Sequence, residues 1–515
     1  MQKIDKFNII IKLTFLNNIY MNIIFELEKN IQSVRPKIYS KTVLSNETDK
    51  RLLSYQKNHV VKLINILIKH WIAIDTSDTG IGKTYIAAAI CRELGRRPIV
   101  ICPKTLITNW ITVLKFYGVK HYDVVNYETI KNGKTYNNCN LKTRKKSKYV
   151  EIEDKDPDDP LKAAFNWNIP KDGIIIFDEV HRCKDPQTEN GKLLMSSKSL
   201  ITQQIPVLLL SATICEEYHD MKIPFYLMNF IPNTRNFNHF TRTLQIKYPK
   251  YRVKKNNPDS GDGKITKENS QAMIIHEEIK EFTSRIKIRD LGDKFPSNQW
   301  CAQEFFTDES KEISESYEEI ALLLDKIKNC EGKSDFHLSK IQKLKQQIEL
   351  RKAPIFIEQA KIYLEEGNSV IIFINYLNTM DVLSKELEIK CKIHGKQNNE
   401  ERQEFIDLFQ SNKEKIIICQ VGAGGTGLSL HDLNGGHPRV TLLSLPDSAS
   451  NLIQALGRAP RAGAKTPVLQ RIVIAANVEY EKHIMKIINK KLSNISAIND
   501  GDINGNKYDI TKGIR

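Results

Sequence analysis

Several features that mark particular classes of protein are missing from this sequence. No two of its nine cysteines have the Cys-x-x-Cys spacing, so a zinc knuckle is not expected. The cysteines are odd in number and scattered, which fits an intracellular, reducing compartment. Long apolar runs are also lacking. The most apolar stretch, residues 7–25, is interrupted by Lys12, Asn17, Asn18 and Asn22, so it is a poor membrane span and a poor signal peptide.

The bulk composition allows a large protein with ordinary cores. The chain has 515 residues, which suggests about three structural units. Its net charge is +16, and such an excess of lysine and arginine favours a polyanionic partner, because these side chains neutralise phosphates. An A/T-rich coding genome, which enriches lysine and asparagine, explains the charge equally well. The same composition is compatible with a large DNA virus or an A/T-rich microbe.

Two segments, at about 51–235 and 353–490, alternate short apolar runs with helical patterns. Runs rich in isoleucine and valine are typical of strands buried on both faces of a parallel sheet. Helical intervals between such strands indicate βαβ units. We therefore predict an α/β protein with two parallel-sheet lobes in tandem. The runs are 98–102, 173–177 and 207–211 in the first lobe, and 369–373, 415–419 and 439–444 in the second.

The remaining segments lack this alternation of apolar runs and helical patterns. Residues 1–50 form a lead-in. Its apolar stretch at 7–25 is expected to be a buried amphipathic segment, or else translation starts at Met21 and the residues before it are an over-extended start. Residues 131–165 are polar and predict a surface insertion in the first lobe. Residues 236–352 predict a loop followed by a helical insertion between the lobes. Residues 491–515 form a polar tail, which is expected to be disordered from about Asp500.

A phosphate-binding loop is predicted between a strand at 71–75 and a helix at 85–94. Gly80 and Gly82 allow close approach to an anion, and the following helix directs its dipole at phosphates. Lys83 is expected to lie between the β- and γ-phosphates, and Thr84 to bind Mg²⁺ through its hydroxyl. The cofactors are therefore expected to be ATP and Mg²⁺. The loop reads Ser77, Asp78, Thr79, Gly80, Ile81, Gly82, Lys83 and Thr84.

Two carboxylates, Asp178 and Glu179, end the apolar run at 173–177. Ligands in open α/β sheets bind at the carboxyl ends of strands. Asp178 is expected to hold Mg²⁺, and Glu179 to orient the attacking water. Phosphoryl transfer requires little covalent chemistry from the protein, so metal binding and positioning supply most of the catalysis.

Taken in order, these motifs resemble those of the superfamily 2 helicases of the DExH type, and most closely the Swi/Snf-like ATPases. The resemblance covers about residues 51–475 and implies two RecA-like lobes. It also implies that Gln56 contacts adenine. Trp110 and the residues before it resemble a block of the Swi/Snf-like group. His181, in the DExH box, is implied as a coupling residue, although a satisfied structural histidine is nearly as compatible with the sequence.

Further blocks extend the resemblance into the second lobe. Ser211 and Thr213 resemble a motif that couples hydrolysis to lobe movement, although the Swi/Snf-like enzymes usually carry a Gly-Thr version. Gly427 lies in a glycine-rich stretch that resembles a motif facing both ATP and the nucleic-acid backbone. The arginine-finger motif of the family is matched by Gln454, Gly457, Arg458 and Arg461.

The two arginines are three residues apart, which places them on one face if the segment is helical. Pro460 favours a turn or a helix start instead. Hydrolysis develops negative charge on the transferred phosphoryl group, and an arginine from across a cleft is worth about 10³–10⁵ in rate. Arg458 and Arg461 are therefore expected to reach ATP from the second lobe and to make closure of the lobes depend on ATP.

The sequence thus predicts an ATP-dependent helicase or translocase that moves along or remodels nucleic acid, with DNA slightly favoured over RNA. One alternative is a double-stranded DNA translocase that never separates strands. Another is a non-catalytic nucleic-acid-binding scaffold, which would have lost Lys83, Asp178, Glu179 or Arg458. A small-molecule kinase would have a single lobe with a lid. No membrane partner is expected.

Overall fold

The computed structural model describes residues 41–137, 140–152, 165–251, 267–295, 298–330, 334–424 and 428–502. Within these ranges the chain forms two α/β lobes, each built on a six-stranded, fully parallel sheet. The two-lobe prediction is thereby confirmed. The predictions for residues 1–40, the final residues from 503 and Gly427 lie outside the described ranges. No helix in the described part of the chain is long and apolar enough to cross a membrane.

The first lobe has the strand order β10-β1-β9-β8-β2-β3. Its central strands are buried along their whole length, as their apolar sequences predict, because helices cover both faces of the sheet. The strands are β1 (Ile72–Asp75), β2 (Arg97–Cys102), β3 (Asp123–Asn126), β8 (Gly173–Asp178), β9 (Val207–Leu210) and β10 (Thr283–Ser284). The helices are α1 (Asn46–Asp49), α2 (Ser54–His70), α3 (Lys83–Glu93), α4 (Ile107–Phe116), α5 (Tyr127–Ile130), α6 (Glu189–Ser196), α7 (Lys198–Thr202), α8 (Lys222–Leu227), α9 (Phe237–Lys247) and α10 (Lys267–Ile279).

The predicted polar insertion of the first lobe contains two small antiparallel hairpins. The first exposes Lys142 and Lys145 to solvent, while its Tyr136 is buried against the lobe. The strands are β4 (Lys134–Asn137), β5 (Asn140–Lys146), β6 (Val150–Ile152) and β7 (Phe165–Trp167).

The second lobe has the strand order β11-β16-β15-β12-β14-β13. Separate apolar clusters lie on the two faces of its sheet. The strands are β11 (Asn298–Phe305), β12 (Ser369–Ile374), β13 (Cys391–Ile393), β14 (Ile416–Gln420), β15 (Arg439–Ser444) and β16 (Val468–Ala475). The helices are α11 (Ser310–Lys328), α12 (Ser334–Arg351), α13 (Ala353–Glu365), α14 (Leu377–Glu386), α15 (Asn399–Gln410), α16 (Val421–Gly424), α17 (Ala449–Leu456) and α18 (Glu479–Asp500).

The predicted insertion at 236–352 is instead divided between the lobes. Strand β10 pairs with β1 in the first sheet, and β11 pairs in parallel with β16 over its whole length in the second. Helices α11 and α12 pack on the second lobe against Ala475 and Val478. The sequence conceals both strands, because β10 has two residues and β11, an edge strand, reads NQWCAQEF, which has neither a continuous apolar run nor a period-2 alternation.

The predicted polar tail is also corrected at its start. Helix α18 continues to Asp500, and its last turns bury Ala497 and Ile498 in the core of the first lobe. The sequence does carry a signal here, because Leu492, Ile495 and Ile498 continue the helical spacing of Met485 and Ile488, so the boundary at 491 is too early.

Candidate functional site

The predicted phosphate loop joins β1 to α3, and two left-handed glycines shape it. Gly80 has φ +83° and Gly82 has φ +90°, a backbone conformation that side chains with a Cβ rarely adopt. Lys83 starts α3, and its Nζ donates to the carbonyls of Ser77, at 2.9 Å, and Asp78, at 3.0 Å. The loop therefore curls around its own lysine, with the first turn of α3 behind it. Thr84 follows in that turn and is partly exposed.

Burial lowers the pKa of Lys83, and the nearby carboxylates of Asp75, Glu179, Asp178 and Asp78 oppose this effect. An ammonium group held in a buried position among carboxylates is well placed to exchange its carbonyl partners for anionic phosphate oxygens. The electrostatics of the loop therefore suit a polyphosphate.

Gln56 lies directly against the loop. Its Nε2 donates to the Ile81 carbonyl at 2.8 Å, and its Oε1 accepts from the Leu53 amide at 3.0 Å. A Cβ added at Gly82 would lie 2.6 Å from Gln56 Nε2, which leaves only glycine at that position. In this structure Gln56 thus braces the backbone of the loop.

The carboxylate pair lies at the carboxyl end of β8. Trp110 Nε1 donates to Asp178 Oδ2 at 2.8 Å, and Tyr127 donates to the Asp178 carbonyl at 2.7 Å. Burial and the adjacent charge of Glu179 raise the pKa of Asp178 to about 7, against the opposing effects of Trp110 and Lys83. Glu179 itself has φ 56°, so the chain turns sharply and presents this carboxylate away from the strand.

The predicted coupling residues meet around one imidazole. His181 Nδ1 lies 3.2 Å from Ser211 Oγ and 3.4 Å from Glu179 Oε2. On the other side, the Gln454 amide nitrogen lies 3.2 Å from His181 Nε2. Burial lowers the pKa of His181, which favours a neutral ring. The Gln454 amide nitrogen can only donate, so Nε2 of that ring accepts and the ring proton lies on Nδ1. Thr213 joins the cluster through its backbone amide, which donates to Ser211 Oγ at 3.1 Å.

The predicted arginines lie in a turn after α17, which ends at Leu456. The two arginines therefore do not share a helical face. The helix ends before Pro460, and the alternative prediction, a turn, is observed. Arg458 is 4 % exposed, and burial lowers its pKa to about 10 against the attraction of Glu179. Arg461 donates from Nη2 to the Leu428 carbonyl at 2.8 Å. Burial lowers the pKa of Arg461 to about 9.

The arginine segment touches the phosphate loop across the two lobes. A Cβ added at Gly457 would lie 1.9 Å from Thr79 Oγ1, and one at Gly80 would lie 3.2 Å from the Pro460 carbonyl. The amide of Ser450, at the start of α17, donates to Glu216 of the first lobe at 2.9 Å. The lobes are thus closed on each other at the predicted site.

The residues present fit ATP with a divalent cation. The described residues contain no cluster of three or more histidine, cysteine or acidic side chains able to cage a metal. Mg²⁺ in nucleotide sites requires only one or two protein ligands besides phosphate and water. The Thr84 hydroxyl and the Asp178 carboxylate would supply that number.

Two residues near the site were not singled out from the sequence, and a third, Trp110, was named only as part of a resemblance and without a contact. Trp110 bonds Asp178, His59 lies 2.8 Å from Ser284 and 3.2 Å from Asp75, and Arg285 contacts Asp78 at 2.7 Å. A histidine in a helix and an arginine after a two-residue strand carry no local motif. Only the packing of distant segments brings them to the loop.

The pKa of Asp178 leads to a pH dependence. We expect kcat/KM for ATP to fall as the pH is lowered through about 7, because this ratio reports ionisations of the free enzyme and a protonated Asp178 is a poor cation ligand. Replacing Trp110 with phenylalanine removes a hydrogen bond that lowers this pKa, so the midpoint should move to higher pH. Steady-state kinetics across the neutral range checks both expectations. An unchanged midpoint in Trp110→Phe would show that another group controls the profile.

Comparisons with known proteins match both lobes. Residues 49–216 match the family model described as type III restriction enzyme, res subunit, and residues 352–463 match the helicase conserved C-terminal domain. Protein L364 of Acanthamoeba polyphaga mimivirus, whose name describes an ATP-dependent RNA helicase, is 65% identical over 490 residues, covering 95% of this chain and 91% of its own. The pre-mRNA-splicing ATP-dependent RNA helicase PRP28 of Saccharomyces cerevisiae is 28% identical over 129 residues, covering 24% of this chain and 21% of its own. The solved structure of S. cerevisiae Dbp5 bound to RNA and ADP BeF3 aligns with TM-score 0.42 and 12% identity, over 87% of this chain and 92% of the other.

Proposed function

Because the chain belongs to the superfamily 2 helicases and is an ATP-hydrolysing enzyme, we propose that it is an RNA helicase that closes its two lobes around ATP and Mg²⁺. The observation that carries the proposal is the contact of Gly457 with Thr79, which brings the arginine segment of one lobe onto the phosphate loop of the other. Binding and loss of the nucleotide at this contact would close and reopen the cleft.

Each predicted site residue has a proposed role in this cycle. Lys83 and the backbone of the loop from Ser77 to Thr84 hold the phosphates, and Gln56 supports the loop at the adenine side. Thr84 and Asp178 hold Mg²⁺. Glu179 orients the attacking water, while Arg458 and Arg461 stabilise the charge that develops on the phosphoryl group. His181 couples the nucleotide state of the site to the second lobe through its contact with Gln454. It is linked to the first lobe through Ser211, which accepts from the Thr213 amide.

RNA is the proposed substrate because both curated relatives are named as RNA helicases, which gives no support to the preference for DNA drawn from the sequence. The net charge of +16 suits either polyanion. The mimivirus relative favours the large DNA virus over the A/T-rich microbe, the two sources compatible with the composition.

The second candidate is a double-stranded DNA translocase that does not separate strands. Its support is Trp110, part of the Swi/Snf-like block, which bonds the catalytic carboxylate Asp178 directly. In such an enzyme, duplex DNA would stimulate hydrolysis at least as strongly as RNA.

One set of assays separates the candidates. ATP turnover is measured with single- and double-stranded RNA and DNA, and the same samples are tested for strand separation. We expect RNA to stimulate hydrolysis most and RNA duplexes to be unwound. Stimulation by duplex DNA without unwinding would support the second candidate. Turnover that no polynucleotide stimulates would overturn both, and Lys83→Ala serves as the inactive control.

A further inference from the structure

The C-terminal helix α18 belongs to both lobes. At its beginning, Glu481 is fully buried and accepts from Lys352 Nζ and from the Ala475 amide, each at 2.7 Å. Both partners lie in the second lobe. The middle of the helix packs Met485, Leu492 and other apolar side chains on the same lobe. The helix is therefore anchored to the second lobe along most of its length.

The end of α18 leaves that lobe and docks on the first. Ala497 and Ile498 enter the first-lobe core, and the Ile498 carbonyl lies 2.8 Å from His276 Nδ1. The side-chain amide of Asn499 donates to the backbone carbonyl of Ala212 at 3.2 Å. Ala212 lies between Ser211 and Thr213. Gly501 then ends the helix with φ +65°. The last turn thus contacts a segment already placed beside the nucleotide site.

Asp500, the last residue of α18, reaches the phosphate loop through one arginine. Its carboxylate lies 2.8 Å from Arg285 Nε and 3.2 Å from Lys287 Nζ. Arg285 in turn donates to Asp78 Oδ1 at 2.7 Å and to the Thr76 carbonyl at 2.6 Å. The side chains of Asp500, Arg285 and Asp78 are only 3%, 7% and 6% exposed. The Ile288 amide holds the other oxygen of Asp78 at 2.9 Å.

This arrangement is unusual for the end of a helix. A carboxylate at a helix C-terminus faces the negative end of the helix dipole, so its position is unfavourable without cations nearby. Two cations compensate Asp500, and one of them is shared with the phosphate loop. The planar guanidinium suits this task, because its donors lie in a fixed fork that can hold two acceptors at once.

We propose that Asp500 and Arg285 are positioning residues for the phosphate loop, through which the docking of α18 sets the geometry of Asp78 and Thr76. The inference rests on the proposed assignment of residues 77–84 as the nucleotide site. Helix α18 is anchored to the second lobe. Docking of its last turn on the first lobe therefore stabilises the conformation of the phosphate loop that binds nucleotide, and that conformation stabilises the docking. By linkage, nucleotide bound at the loop must strengthen the docking of the helix by the same factor.

Asp500→Asn in the 515-residue chain tests the relay, since it removes the charge and keeps the shape. We expect the Kd for a fluorescent ADP and the KM for ATP each to rise about tenfold, with kcat changed much less. Asp381→Asn, an exposed aspartate on α14, is the matched control and should change neither. Asp500→Glu, which keeps the charge, should recover part of the affinity.

A merely structural role would lower the melting temperature and leave the Kd unchanged, and that result would overturn the proposal. Hydrogen exchange on the wild-type chain gives a second test that needs no variant. ADP should slow exchange of the amides at 495–500, and equal exchange with and without ADP would also overturn the relay. If Lys83→Ala binds ADP as tightly as wild type, the assignment of the nucleotide site is wrong. If Lys83→Ala binds ADP weakly but Asp500→Asn binds it as tightly as wild type, only the relay is rejected.

Discussion

Replacing Arg458 with alanine is expected to lower kcat for ATP hydrolysis by about 10³-fold, the lower end of the range for an arginine that stabilises a transferred phosphoryl group. The guanidinium is buried, and the acidic side chain that most raises its pKa is that of Glu179, the residue proposed to orient the attacking water. Because the added stabilisation arises mainly in the transition state, the Kd for ADP should change far less than kcat.

Steady-state turnover and direct ADP binding measure these two effects. Arg458→Lys keeps the charge without the fork and should fall between wild type and Arg458→Ala. Arg242→Ala, at an exposed position of α9, is the matched control and should leave turnover unchanged. A loss of kcat below tenfold in a folded Arg458→Ala protein would remove this arginine from the proposed mechanism.

Replacing Gly457 with alanine is expected to lower kcat/KM by about 10²-fold, the usual cost of misplacing catalytic groups by about 1 Å. The new Cβ would lie 1.9 Å from Thr79 Oγ1 and 2.6 Å from Thr79 Cβ, so the lobes must separate at the phosphate loop. Gly457 and Thr79 are not part of the apolar cores of the two lobes, so the melting temperature should change less than the activity.

A second substitution tests whether the steric contact is the cause. Thr79→Gly removes the two Thr79 atoms that meet the new Cβ and leaves the Ile453 carbonyl, at 3.2 Å. The double variant should therefore have a higher activity than the product of the two single effects predicts. Gly422→Ala is the control, because nothing lies within 4 Å of a Cβ at that position. Additive losses in the double variant would mean that Gly457 does not act through Thr79.

The agreement between sequence and structure differs from element to element. Strands β8, β9 and β12 were predictable, because each is a continuous apolar run that is buried on both faces. Strand β11 was not, because an edge strand needs only backbone pairing and its mixed sequence, NQWCAQEF, resembles a surface segment. The end of α18 was missed for a different reason: Leu492, Ile495 and Ile498 keep its helical spacing, but the polar residues between them resemble the start of a tail.

The site shows the same division. Lys83 and Thr84 were assigned from the loop itself, and Asp178 and Glu179 from their place at the end of a strand. Because of Pro460, the sequence left open whether Arg458 and Arg461 lie on a helix or in a turn. The structure shows a turn, since α17 ends at Leu456. The roles proposed for these residues remain predictions for the kinetic tests above.

Local patterns in the chain were enough to identify two parallel-sheet lobes, a phosphate loop and a carboxylate pair, since each depends on neighbours within a few residues. The folded arrangement alone revealed that Gly457 meets Thr79 and that Asp500 reaches Asp78 through Arg285. These contacts join segments far apart in sequence, and they arise from the way the lobes and α18 pack, which no periodicity of a single segment records.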